Sequence, residues 1–154
     1  MQIPDDWQAP ADYLQQRVIL ITGAGSGIGA AVAVACARHG ATVWLMGRTE
    51  SKLEAVYDEI EAAGGAQPAI LPVDLATFTE QQGETLAATL ADNIGHLDGL
   101  LHNASLLGER RPIESASYDT WCEVMQVNVN AQFLLTRHLL PLLQAAPCAR
   151  HFGL

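Results

Sequence analysis

The sequence predicts an α/β fold in which helices cover both faces of a parallel β-sheet. Short apolar runs alternate with stretches of helical periodicity, turn glycines separate the two, and the first run, at 17–22, has no polar alternation. A strand without polar alternation is typical of a sheet that is buried on both faces. Alternating strands and helices imply right-handed crossovers, so we expect a doubly wound sheet with about four strands and four helices.

Residue types place each element along the chain. β-branched and other apolar residues predict strands at 17–22, 41–46, 69–73 and 97–102. Apolar residues at helical spacing predict helices at 28–39, 52–61, about 79–94 and 118 to about 143. Thr79 and Gln82 have the spacing of a capping box at the start of the third helix. The fourth helix is apolar on more than one side, so we expect it to be largely buried.

The composition limits the function classes. At 154 residues, with 49% apolar and 16% charged residues, the chain has the length and apolar content of one folded domain. Eight basic and seventeen acidic residues give a net charge of −9, which disfavours nucleic acid and anionic membranes as partners. Cys36, Cys122 and Cys148 form no CxxC pair and have no histidine pair nearby, so we expect neither a disulfide nor a metal site.

Two segments bear on the location of the protein. Residues 18–37 carry no charge and have the length of a membrane span, but four glycines inside the stretch indicate a loop between two shorter elements. Residues 1–10 lack the basic start and apolar continuation of a secretory leader. We expect a cytoplasmic protein in which residues 1–15 are an N-terminal extension and residues 16–154 form the folded domain.

A glycine-rich segment, TGAGSGIG at Thr22–Gly29, lies between the first predicted strand and the first predicted helix. Glycines permit a tight turn there and let backbone N–H groups approach a pyrophosphate, whose charge the helix N-terminus favours. In this context the pattern predicts a Rossmann-type dinucleotide site. The segment has no GKS or GKT ending, which disfavours a P-loop nucleotide triphosphatase.

Four motifs together resemble the short-chain dehydrogenase/reductase family. They are TGxxxGxG at 22–29, Asp-Leu at 74–75, His-Asn-Ala-Ser at 102–105 and Asn-Val-Asn-Ala at 128–131, and the resemblance covers about residues 15–145. The combination of HNA with MQVNVNA is similar to the YciK-like oxidoreductase branch of that family. The resemblance implies hydride transfer between a nicotinamide dinucleotide and a small-molecule carbonyl or alcohol substrate, and a homo-oligomer for the full-length form.

Arg48 decides the choice of cofactor. An acidic residue at the end of the second strand would bind the ribose 2′-hydroxyl of NAD(H), whereas the guanidinium of Arg48 suits a 2′-phosphate, so NADP(H) is favoured over NAD(H). The alternative for Arg48 is a solvated surface cation. Another class of protein, an S-adenosylmethionine methyltransferase, is disfavoured because its fold needs a carboxylate after the second strand, where this chain has Arg48.

The resemblance also implies which residues bind the cofactor. Asp74 and Leu75 should border the adenine, with a plain helix cap as the alternative for Asp74, and Asn103 and Ala104 should line the cofactor from the fourth strand. The full set of candidate cofactor-binding residues is Thr22, Gly23, Ser26, Gly27, Ile28, Gly29, Arg48, Asp74, Leu75, Asn103 and Ala104. His102 and Ser105 stand where the family usually has asparagine and glycine, and a packed, hydrogen-bonded histidine is the expectation for His102.

The family's catalytic groups are only partly present. Asn128 matches the asparagine of its Asn-Ser-Tyr-Lys tetrad, and the resemblance implies that it orders the helix and a proton-relay water. None of the three tyrosines is followed by lysine at the Tyr-x-x-x-Lys spacing. We expect a domain incomplete at its C-terminus, through a frameshift, an early stop or fragmentation, that is inactive alone and aggregates or stays molten. The alternative is a non-catalytic nucleotide-binding or pairing module.

Overall fold

A computed structural model of the chain describes residues 9–147. Its sheet has four parallel strands: β1 (Val18–Thr22), β2 (Thr42–Gly47), β3 (Ala69–Pro72) and β4 (Gly99–Leu101). The strand order is β3-β2-β1-β4, so the chain reverses its direction of progress across the sheet after β3. This confirms the predicted doubly wound parallel sheet, and it brings the carboxyl ends of β1, β2 and β4 to one edge, where ligands of such folds bind.

Helices alternate with the strands as predicted. They are α1 (Gly27–Arg38), α2 (Glu50–Ala62), α3 (Glu80–Ile94), α4 (Tyr118–Met125) and α5 (Ala131–Gln144), with short 3₁₀ turns at Leu75–Thr77 and Ile113–Ser115. A π-helical turn, Gln126–Asn130, joins α4 to α5, so these form one continuous helical stretch. The capping box is also confirmed: Thr79 and Gln82 each bond the other's backbone at the start of α3.

Two hydrophobic cores lie on opposite faces of the sheet. Neighbouring residues of a strand point to opposite faces, and accordingly Leu20 belongs to the core under α3 and α5, whereas Ile21 belongs to the core under α1 and α2. Both side chains are fully buried. The uncharged stretch 18–37 is divided into β1, a turn and α1. Among residues 9–147, no helix combines the length and apolar character needed to cross a bilayer.

The predicted fourth strand is too long. The prediction covered 97–102, but the strand runs only from Gly99 to Leu101. The N–H of Leu97 donates to the carbonyl oxygen of Leu142 at the end of α5 (3.0 Å) instead of to a neighbouring strand. An apolar run cannot show where its backbone will find hydrogen-bond partners, which depends on the packing of α5.

The expectation of a largely buried fourth helix is wrong. In α5 one side is buried, by Ala131, Leu135, Leu139 and Leu142, while α4 has no buried residue. Trp121 and Phe133 are 58% and 62% exposed. The physical reason is the position of β4, since in the described part of the chain no strand lies beyond it and no element covers the other apolar side of α4 and α5.

Candidate nucleotide-binding site

The turn between β1 and α1 is built from close backbone contacts. Gly23 and Gly27 have positive φ angles of 66° and 58°, which glycine adopts without strain. A Cβ atom on Gly29 would collide with the carbonyl oxygen of Gly23 and would lie 2.5 Å from Nδ2 of Asn103. The absence of side chains at Gly23 and Gly29 therefore lets the turn, α1 and the loop after β4 meet.

The N-terminus of α1 is free to receive an anion. Ser26 is the residue that precedes the first turn, and its side chain makes no capping hydrogen bond. The first turn contains no acidic residue. Backbone N–H groups of a first helical turn have no partner within the helix and carry the positive end of its dipole, so this end of α1 suits a phosphate group.

Thr22 and Asn103 join the glycine turn to the loop after β4. The hydroxyl oxygen of Thr22 accepts hydrogen bonds from the N–H groups of Asn103 (3.1 Å) and Ala104 (3.0 Å). The side-chain amide of Asn103 donates to the carbonyl oxygens of Thr22 (3.1 Å) and Gly23 (3.2 Å). Thr22 is only 1% exposed, so its hydroxyl holds the loop after β4 from inside the protein.

A cavity of about 310 Å³ opens between the glycine turn, the end of β2 and the loop after β4. That volume is at the lower end of the range of roughly 300–1,000 Å³ found for small-molecule sites. The predicted residues that line it are Gly23, Ser26, Arg48, Asp74, Leu75, Asn103 and Ala104. The predicted residues that are not part of its wall are Thr22, Gly27, Ile28, Gly29 and Asn128. The side chain of Ile28, in the first turn of α1, is exposed.

The cavity wall combines apolar and charged groups. Its apolar residues include Met46, Val73, Leu75, Ala76, Leu106 and Val127. Asp74 caps the 3₁₀ turn Leu75–Thr77, because its Oδ1 accepts a hydrogen bond from the N–H of Ala76 (3.0 Å). Arg48 and Lys52 both line the cavity. Lys52 is not among the residues predicted from the sequence. It lies in the first turn of α2, and the signal that could have identified it is a second cation close to Arg48 in the sequence.

Asn128 fixes the loop after β4 from the π-helical turn. Its Oδ1 accepts a hydrogen bond from the N–H of Leu106 (2.8 Å), and its Nδ2 donates to the carbonyl oxygen of the same residue (2.9 Å). From the same turn, Nε2 of Gln126 donates to the carbonyl oxygen of Phe78 (3.0 Å). π-helical turns often occur at functional sites. This one holds the loop after β4 through Leu106 and the segment 75–78 through Gln126, and both segments contribute to the cavity wall.

His102 is a packed histidine with one bonded nitrogen. The hydroxyl of Thr136 donates to the carbonyl oxygen of Gln132 (2.8 Å), so Thr136 accepts the hydrogen bond from Nε2 of His102 (2.8 Å). This assigns the proton of the neutral ring to Nε2. Nδ1 is buried and has no hydrogen-bond partner within the described residues. Burial lowers the pKa of His102, which keeps the ring neutral near pH 7.

Fold and site together define a Rossmann-type α/β protein with a glycine turn at the switch point of its sheet. A family model described as "short chain dehydrogenase" matches residues 17–151. The chain therefore belongs to the short-chain dehydrogenase family of oxidoreductases.

Two solved structures and one curated protein illustrate the similarity. The chain is 48% identical over 137 residues to the uncharacterized oxidoreductase YciK of Escherichia coli K12, covering 89% of this chain and 54% of that protein. A short chain dehydrogenase from Pseudomonas syringae superposes with a TM-score of 0.89 at 51% identity, over 92% of this chain and 59% of the other. One from Escherichia coli CFT073, complexed with NADPH, gives 0.87 at 47% identity, over 90% and 57%.

The chain spans about half the length of the curated relatives that it matches. The similarity covers most of residues 9–147 and includes the glycine turn, the end of β2 and the loop after β4.

Proposed function

We propose that this chain binds NADP(H) in the cavity between the glycine turn, β2 and the loop after β4. The observation that carries the proposal is the meeting, in one cavity, of an uncapped α1 N-terminus with the guanidinium of Arg48, which has no ion-pair partner among the described residues. A dinucleotide with a 2′-phosphate presents two separate anionic groups, and this site offers a cationic or dipolar partner to each. The NADPH complex of the Escherichia coli CFT073 relative supports the same choice.

The parts of the cofactor can be assigned to parts of the cavity. We assign the pyrophosphate to the glycine turn, where Gly23 and Ser26 line the cavity and Gly27, Ile28 and Gly29 form the adjoining first turn of α1. We assign the 2′-phosphate to Arg48 and the adenine to the wall formed by Asp74 and Leu75. Thr22 and Asn103 hold Ala104 against the glycine turn, which keeps the loop after β4 in place as another part of the cavity wall. NAD(H), which lacks the 2′-phosphate, should bind more weakly because Gly47 and Arg48 stand where a carboxylate would bind its ribose.

In the whole enzyme, bound NADP(H) would supply or accept the hydride that a carbonyl or alcohol substrate exchanges. Within residues 9–147, Asn128 would act by holding Leu106 and hence the cofactor loop. The 154 residues contain no Tyr-x-x-x-Lys pair to donate and withdraw the substrate proton. We therefore propose that this chain, with the binding function in residues 16–154, takes up the cofactor without turning over substrate.

The test is isothermal titration of NADPH and NADH into the 154-residue chain and its Arg48→Glu variant. We expect NADPH affinity to fall at least about tenfold in the variant, because a repulsive charge replaces an attractive one at the 2′-phosphate. NADH affinity should change much less. Circular dichroism controls for folding. Equal affinities of both proteins for NADPH would contradict the proposal, as would reduction of aldehydes or ketones above background by the unaltered chain.

A further inference from the structure

We propose that His102 is a positioning residue that ties the loop after β4 to α5 while its ring is neutral and releases the loop when the ring is protonated. This inference rests on the proposed function and adds to it a dependence of cofactor affinity on pH. His102 directly follows β4. Alternation along a strand puts it on the same face as Leu100, whose side chain packs in the core under α3 and α5.

Three anchors hold the part of the loop that lines the cavity. At its start, Nε2 of His102 bonds the hydroxyl of Thr136 in α5 (2.8 Å). The next two residues donate their N–H groups to the hydroxyl of Thr22, and Leu106 exchanges two hydrogen bonds with Asn128. Threonine and asparagine side chains keep the same charge at every pH at which the chain is folded. His102 is therefore the anchor that pH can alter.

The hydrogen bonds of Thr136 define the protonation state of the ring. The Thr136 hydroxyl donates to the carbonyl oxygen of Gln132 (2.8 Å), so it accepts from Nε2–H of His102. Nδ1 is then an acceptor, and it is buried without a hydrogen-bond partner among residues 9–147. A proton on Nδ1 would create a buried donor that has no acceptor, and it would place a charge on a half-buried ring. The protonated ring should turn toward solvent and give up its bond to Thr136.

The charged groups of the neighbouring elements are engaged elsewhere. On α5, Arg137 and His138 contact Glu80 of α3, at 2.9 and 3.4 Å. At the other end of β4, Asp98 pairs with the start of β1. Burial lowers the pKa of His102. The bond to α5 is therefore intact above the ordinary histidine value of about 6.5 and is lost as the pH falls through the lowered pKa.

The first experiment titrates NADP⁺ calorimetrically at pH 7 and at pH 5 into the 154-residue chain and its His102→Gln variant. The glutamine offers a similar Nε2 donor but takes up no proton. The 2′-phosphate of the cofactor itself titrates near pH 6. The two proteins are therefore compared by the ratio of their affinities at the two pH values. We expect this ratio to be at least about threefold larger for the unaltered chain than for the variant.

Two further variants test the path to α5. Thr136→Val removes the acceptor, and we expect it to weaken NADP⁺ binding about threefold to tenfold at pH 7. His39→Gln is the matched control, since it removes a histidine at the end of α1 that lies away from the glycine turn. It should show the same affinity ratio as the unaltered chain. Circular dichroism at both pH values controls for folding.

A second measurement reads the ring directly. Nitrogen-15 NMR of the histidine-labelled chain distinguishes the two neutral forms of imidazole from the charged form, and the signal of His102 is the one that is missing in His102→Gln. We expect a neutral ring with its proton on Nε2 at pH 7. A ring that carries its proton on Nδ1, or that is charged at pH 7, would overturn the role of His102.

The affinities distinguish this role from the cofactor site itself. If the unaltered chain binds NADP⁺ and its affinity ratio equals that of His102→Gln, the role of His102 is overturned and the proposed function stands. Undiminished binding by Thr136→Val at pH 7 overturns it as well. If the folded, unaltered chain binds no NADP⁺ at pH 7, the proposed function fails and this inference fails with it.

Discussion

Two residues of the glycine turn, Gly23 and Gly29, are needed there because they have no side chain. The carbonyl oxygen of Gly23 lies where a side chain at position 29 would begin. The sequence pattern predicted that these glycines permit a tight turn and let a phosphate approach the backbone. It could not show that Gly29 also makes room for the side-chain amide of Asn103, because that residue comes from the loop after β4, far along the chain.

Gly29→Ala should therefore cost both stability and binding. The added methyl group would displace the carbonyl of Gly23 or the amide of Asn103, and we expect a loss of about 1–3 kcal/mol in the free energy of unfolding. NADPH affinity should fall at least about tenfold. Urea unfolding and titration calorimetry measure the two effects. Gly64→Ala is the control. Alanine is strained at the positive φ of Gly64 and should cost some stability, but nothing lies within 4 Å of the missing Cβ and Gly64 is not part of the cavity wall, so that variant should keep its NADPH affinity.

At the scale of elements, one carboxylate adds side-chain hydrogen bonds to the backbone pairing of β4 with β1. Asp98 precedes β4, and its Oδ1 accepts a hydrogen bond from Nη1 of Arg17 (2.7 Å). Its Oδ2 accepts one from the N–H of Val18 at the start of β1 (2.9 Å) and lies 3.2 Å from Nε2 of His96. Burial by itself would raise the pKa of Asp98, but the bonds from Val18 and Arg17, with the nearby charges of His96 and Arg17, lower it.

Asp98→Asn should loosen this end of the sheet and change its response to acid. We expect a loss of about 1.5–3 kcal/mol near pH 7, the usual contribution of a hydrogen bond to a charged group. Because the folded pKa is lowered, the carboxylate stabilises the protein above the ordinary aspartate value of about 3.9, and this stability disappears as the pH falls through the lowered pKa. The variant should lack that part of the acid dependence.

Urea unfolding between pH 3 and pH 7 measures the difference. The control is Asp58→Asn, which neutralises an exposed carboxylate on α2 and should behave like the unaltered chain. Parallel stability curves for the Asp98→Asn variant and the unaltered chain would show that the carboxylate does not fasten β4.

The loop after β4 is likewise held by elements on both sides. Thr22 and Asn103 connect it to β1, while Asn128 in the π-helical turn connects it to the helical stretch of α4 and α5. His102, the first residue after β4, adds a bond to Thr136 of α5. The predicted cofactor loop is thus fixed by hydrogen bonds to residues distant in sequence, in β1, the π-helical turn and α5.

At the scale of the whole molecule, one apolar side of the stretch from α4 to α5 is left uncovered within residues 9–147. The helical stretch from α4 to α5 leaves a group of large apolar side chains exposed. They are Tyr118, Trp121, Val129, Phe133 and Leu140. Large contiguous apolar surface is unusual on an isolated soluble protein and favours association.

We expect the 154-residue chain to self-associate through this surface. Replacing Trp121 and Phe133 together by Glu should weaken association about tenfold or more, because each aromatic side chain contributes apolar area to the contact and the new charges repel. Sedimentation velocity across a concentration series measures the change. Gln81→Glu adds a charge at an exposed position of α3 and should have no effect. A monomeric chain with a cooperative thermal transition would contradict this expectation.

The sequence alone determined the order of strands and helices, the glycine turn and the position of Arg48 at the end of β2, because these depend on local periodicity and on neighbours in the chain. Only the tertiary structure decided where β4 stops, which side of α5 is buried, and that Lys52 shares the cavity of Arg48. It also decided that Asn128 bonds Leu106 and that Gly29 admits Asn103. Those features depend on contacts between segments distant in sequence, and a local sequence pattern does not predict which distant residues come into contact.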